Sequence, residues 1–170
     1  EAGINDAIAN NQSWDRDQYY PVYFTINGMS HPQLTKDTMS LIRGFVGDSL
    51  VLNIANTGLS IHPIHFHGYH ANILYSSKYA SHVGREKDTH VIHPMESLVL
   101  LVVPDKPGIY PVHNHNLVAV TGNGIYPNGM FTTLQINGNN DADATNYLPM
   151  IHNPGGTSFR LFMLPNTFTY

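Results

Sequence analysis

Short apolar runs closed at regular intervals by turn residues constrain this chain more than any other feature. Residues 20–26 are β-branched and aromatic and stop at Asn27-Gly28, a strong turn signal. Residues 41–43 lead into Val46-Gly47-Asp48, and residues 49–54 then alternate polar and apolar until Asn56-Thr57-Gly58 breaks them. Further strands are expected over 71–75, 89–93, 97–103, 109–113 and 130–136, with loops over 76–87 and 121–129. Seven or eight short strands at spacings of roughly ten residues predict an all-β fold, a β-sandwich.

Composition agrees and excludes several functions. Charged residues make up only 12% of the chain, against 14 Gly and 11 Pro, the profile of strands and turns. Eight Lys and Arg scattered through a chain of net charge -4 form no basic stripe, which argues against nucleic acid as a partner. With zero cysteines there is no disulfide, thiolate metal site, iron-sulfur cluster or cysteine nucleophile. No run approaches the roughly twenty apolar residues of a membrane span. No Gly-x-Ser-x-Gly elbow or phosphate-binding glycine loop is present, so serine hydrolases and nucleotide enzymes fall away. The first residue, Glu1, leaves open a processed protein or a piece of a longer one.

Three regions are expected. Residues 1–19 are a polar extension with a helical turn around Asn5 to Ala9, and residues 20–138 are the sandwich, ending near Asn139-Asn140-Asp141. Residues 139–170 form a tail. Its strongly apolar stretch, 158–164, must be buried on this domain or on a neighbour.

Two histidine motifs carry the chemistry. On a strand, residues two apart share a face, so His65 with His67, and His113 with His115, each present two imidazoles together. If their strands are neighbours, the pairs form a histidine-only cluster suited to copper or zinc. A single His-x-His reads equally well as ordinary strand histidines; two pairs in one small domain do not. His31, His82 and His152 sit in loop or tail contexts, and His90 and His93 lack the spacing of two, so these are read as surface histidines.

The ordered series His62-Pro63-x-His65-x-His67-Gly68, Asp88-Thr89, Lys106-Pro107-Gly108-x-Tyr110-x-x-His113-x-His115 and Gly129-Met130 resembles a cupredoxin domain of the multicopper oxidases. The opening Phe24-Thr25-Ile26-Asn27-Gly28, followed by Pro32, is similar too, so the resemblance covers about 20–136. It implies a cupredoxin-like Greek-key β-sandwich and half of a three-copper cluster. His65 would ligate the type 2 copper, while His67, His113 and His115 would ligate the type 3 pair. The other histidines would come from another cupredoxin domain or subunit, in a homo-oligomer or a longer parent chain. An extracytoplasmic location is implied as well.

The departures are equally informative. Where the family's mononuclear site has a cysteine, then a histidine and a methionine, this chain has Asn114, Ala119 and Gly124. A blue-copper site needs the thiolate, so no type 1 copper is expected here. Of its ligands only His62 remains, as a structural or outer residue, and Met130 is expected in the core. His70, Asp88 and Asn114 are candidates for support around the ligands, since metal-bound histidines usually donate their second ring proton to a carboxylate or carbonyl.

Three functions compete on this reading. The first is a cupredoxin domain supplying half of a type 2/type 3 copper cluster for oxygen-linked oxidation, with activity belonging to the assembly. The second is a non-catalytic copper-binding or buffering protein. The third is a structural or assembly module, in which the apolar tail joins a neighbour's sheet edge.

Overall fold

The computed structural model describes residues 2–15, 17, 19–138 and 157–164. A short helix, α1 (Ala2–Ala9), precedes ten strands. These are β1 (Ile42–Phe45), β2 (Ser49–Asn56), β3 (His62–Phe66), β4 (Ala71–Ser76), β5 (Glu86–Lys87), β6 (Thr89–Ile92), β7 (Ser97–Val102), β8 (Gly108–Asn114), β9 (Phe131–Asn137) and β10 (Thr157–Leu164). They form two five-stranded sheets, ordered β1-β9-β8-β3-β6 and β10-β2-β7-β4-β5. The all-β sandwich expected from the sequence is therefore the fold.

Period-two burial holds the layers together. Along β9 the burial alternates strictly, with Thr132, Leu134 and Ile136 inward. Opposite them the second sheet contributes Leu50, Leu52, Ile54, Leu98, Leu100 and Val102 to the same core. Side chains of this size each stabilise the fold by about 1.5–3 kcal/mol when fully buried.

Residues 20–26 are not a strand. Only Phe24 and Ile26 point into the core, while Tyr20, Val22 and Tyr23 are exposed, and Pro21 lacks the N–H that a ladder needs. The expected turn does form: Asn27 and Gly28 take φ of 52° and 79°, and Ile26 and Met29 exchange backbone hydrogen bonds across it. In the tail, β10 pairs in parallel with β2 from Thr157↔Ser49 to Leu164↔Asn56, so the apolar stretch lies on this domain's own sheet edge. The boundary residues Asn139, Asn140 and Asp141, and His152, lie outside the described residues. Among the described residues no helix is long and apolar enough to cross a membrane.

Candidate metal centre

Strands β3 and β8 are antiparallel neighbours in a register that sets His65 directly opposite His113, Ile64 opposite Asn114 and Phe66 opposite Val112. The pleat then sorts the side chains. His62, Ile64 and Phe66 go inward with Val112 and Asn114; His65 and His113 go outward. The backbone bonds from His67 N–H to the Pro111 carbonyl and from His115 N–H to the Pro63 carbonyl carry both motifs past the strand ends on the same face.

Four imidazoles meet there. His65, His67 and His113 each offer a ring nitrogen within 4.8 Å of the other two. The Nε2 atoms of His67 and His113 are 3.0 Å apart. His115 lies outside this triad, with its ring 5.3 Å from His65 and 6.3 Å from His113 between centroids. Two imidazole ligands at about 2.0–2.1 Å from one ion, roughly 90–110° apart, stand about 2.9–3.4 Å from each other. The His67–His113 spacing fits that geometry without rearrangement. A donor set made only of imidazoles suits copper and zinc.

Two of the rings, His65 and His113, are held from behind. His65 Nδ1 is 2.9 Å from Thr89 Oγ1, because β6 pairs with the other edge of β3 and sets Thr89 opposite His65. The Asp88 carboxylate is 3.9 Å from the same nitrogen, too far for a direct hydrogen bond. His113 Nδ1 lies 2.9 Å from the Asn114 carbonyl, and its ring stacks on Phe131 at 6.0 Å and 8°. Burial, then the neighbouring His113 and His65, lower the pKa of His67 from its ordinary value, which favours the neutral form that binds metal. The Asp88 carboxyl is also shifted down, chiefly by the Thr89 hydroxyl.

Gly68 ends the first motif with φ of 77°, and a Cβ there would come within 2.6 Å of the Tyr110 ring. Only glycine both turns the chain there and lets that ring pack against it.

Beneath the cluster, on the inner face, His62 and Asn114 form a separate buried pair. Asn114 Nδ2 lies 2.6 Å from His62 Nδ1 and 3.4 Å from Met130 Sδ, and its Oδ1 accepts the Asn116 N–H at 2.9 Å. All three side chains are at most 1% exposed. The asparagine amide thus bridges an imidazole nitrogen and a thioether in the position where the resemblance has a cysteine. His70 is exposed, and among the described residues no hydrogen bond ties it to the cluster.

Two features escape the sequence reading. His90, read there as a surface histidine, is 3% exposed, and its Nε2 lies within 3.0 Å of the Ala71 and Lys87 carbonyls, tying β6 to the opposite sheet. Glu96 is 1% exposed and accepts from Ser76, from the His93 N–H and from the His93 ring. His90 shares its strand face with the fully buried Ile92, a period-two signal that a search for histidine pairs passes over, whereas the turn glutamate carries no such signal.

Residues 7–142 match the family model of the multicopper oxidases. The multicopper oxidase MmcO of Mycobacterium tuberculosis is 30% identical over 93 residues, 55% of this chain and 17% of that protein. The blue copper oxidase of Nitrosomonas europaea shares the fold with a TM-score of 0.60 and 28% identity, covering 67% of this chain and 34% of that one. The multicopper oxidase mgLAC aligns with a TM-score of 0.63 at 21% identity, covering 88% of this chain and 45% of that one, a likeness of fold alone. This chain thus spans less than half the length of each of these relatives. The family match over most of the sequence and the shared sandwich make this chain a member of the multicopper oxidase family.

Proposed function

We propose that this domain supplies His65, His67, His113 and His115 as one half of a type 2/type 3 copper cluster, completed by another cupredoxin domain or subunit outside the cytoplasm. The observation that carries the reading is the cross-strand pairing of His65 with His113, together with the 3.0 Å approach of the His67 and His113 nitrogens. Copper bound there would supply electron transfer to oxygen.

This chain's residues perform the binding and the positioning. His67 and His115 lie on the open side of the cluster, where a facing domain can add its own imidazoles, while Thr89, Phe131 and the Asn114 carbonyl hold the rings of His65 and His113. With Asn114 bonded to His62 and no thiol in the chain, reducing electrons enter through a partner's centre and oxidase activity belongs to the assembly. The same missing thiol favours a second reading, copper buffering without turnover.

The test replaces His65 and His113 together by alanine in the complete assembly. Copper content and oxygen consumption are expected to fall together; unchanged values would overturn the proposal. Copper uptake by wild type with no oxygen reduction in the assembly selects buffering.

A further inference from the structure

We propose that Thr89 is the residue that sets the tautomer of His65, holding the proton on Nδ1 so that Nε2 keeps the lone pair a metal needs. The purpose of the device rests on reading His65 as a copper ligand; its geometry does not. Neutral imidazole carries one proton on one of two nitrogens, and the partner of one nitrogen decides what the other can do. His65 Nδ1 faces Thr89 Oγ1 at 2.9 Å, with the Asp88 carboxylate 3.9 Å away.

A hydroxyl has one hydrogen and two choices here. It can donate to His65 Nδ1 or to Asp88. An ionised carboxylate is the stronger acceptor, and charge-assisted bonds are roughly twice as strong as neutral ones. Asp88 directly precedes Thr89 in the chain, and its carboxylate stands 3.9 Å from the same His65 nitrogen. The hydroxyl hydrogen therefore points to Asp88, the hydroxyl oxygen accepts, and His65 Nδ1–H donates. The opposite arrangement would turn a nitrogen lone pair toward a carboxylate 3.9 Å away.

The comparison within the cluster shows why this residue matters. His113 has its Nδ1 on the Asn114 main-chain carbonyl, which can only accept and which no substitution removes. Among the described residues, His65 has no such backbone partner at Nδ1. Its tautomer depends on a side chain placed opposite it by the β3–β6 register. Asp88, the carboxylate the sequence suggests as support, acts on the imidazole through Thr89.

The test uses the full chain, metal-free, with ¹⁵N-labelled histidine, read by two-bond ¹H–¹⁵N correlation at about pH 8, where imidazole is neutral. His65 is expected as the Nδ1–H tautomer in wild type and in Thr89→Ser, and shifted toward the Nε2–H form in Thr89→Val. Asp88→Asn, an exposed change that leaves the threonine in place, should shift it partway. Copper(II) affinity should fall about 10- to 100-fold in Thr89→Val and recover in Thr89→Ser. Finding Nε2–H in wild type, or an unchanged tautomer in a folded Thr89→Val, overturns the inference; should Thr89→Val not fold, an unchanged tautomer in Asp88→Asn does so. A wild-type protein with the expected tautomer that takes up no copper refutes the copper reading and leaves the tautomer assignment standing.

Discussion

Replacing Asn114 by leucine removes the hydrogen bonds under the cluster while keeping the number of side-chain heavy atoms and the branch at Cγ. His62 Nδ1, in a side chain 1% exposed, loses its amide donor at 2.6 Å. A buried polar atom left without its partner costs about 1–3 kcal/mol. The Asn116 N–H also loses its acceptor, but that residue is exposed and water replaces the bond at about 0–1 kcal/mol. The expected loss is about 1–4 kcal/mol. With a urea slope of roughly 2 kcal/mol/M, the unfolding midpoint should drop by about 0.5–2 M. Substituting His62→Phe in the same chain removes the stranded nitrogen and keeps a ring edge-on to Phe24, as His62 now sits. The double variant should recover part of the loss, giving a coupling of about 1–3 kcal/mol. A midpoint shift under about 0.3 M, or two losses that simply add, would refute the hydrogen-bonded pair as a stabilising element.

Burial lowers the pKa of His90, so the folded state binds its proton less readily than the unfolded chain. Stability from this residue is complete above the ordinary value of 6.5 and is lost as pH falls below it toward the folded pKa. Urea midpoints between pH 8 and pH 5 should fall, and His90→Gln should flatten the curve. Glycine 129 packs so closely that a Cβ would stand 2.3 Å from the Ala119 carbonyl oxygen, a backbone atom that cannot step aside. Gly129→Ala should therefore cost about 3 kcal/mol or more in thermal or urea unfolding. Ending the chain after Gly138 strips β10 from β2 and bares that edge; lower stability and concentration-dependent association by light scattering are expected.

Strand positions and the facing of the four imidazoles follow from period-two arithmetic, which residues 62–67 and 113–115 state directly in the sequence. That β3 and β8 are neighbours does not follow from it, because pairing is long-range. Residues 20–26 failed as a strand although their composition was right, since β-propensity measures fit to a half-buried surface and this segment finds ladder partners only as isolated bridges. Thr89 was invisible as a support residue because its role depends on lying across from His65 in another strand. The family pattern puts His62 and Asn114 at positions of one lost copper site, but does not give the hydrogen bond between them. Nothing in the local sequence says that an amide at 114 reaches inward to Met130 as well.

The account's central claim is that this domain's outward imidazoles bind copper and are completed by a facing partner. Elemental analysis of the copper-loaded protein, taken with its mass in solution, tests that most directly. Copper at one or more per chain, found in an oligomer or bound jointly with a partner domain, is the expected result. A metal-free monomer after loading would contradict it and would make the histidine pairs remnants of a lost site.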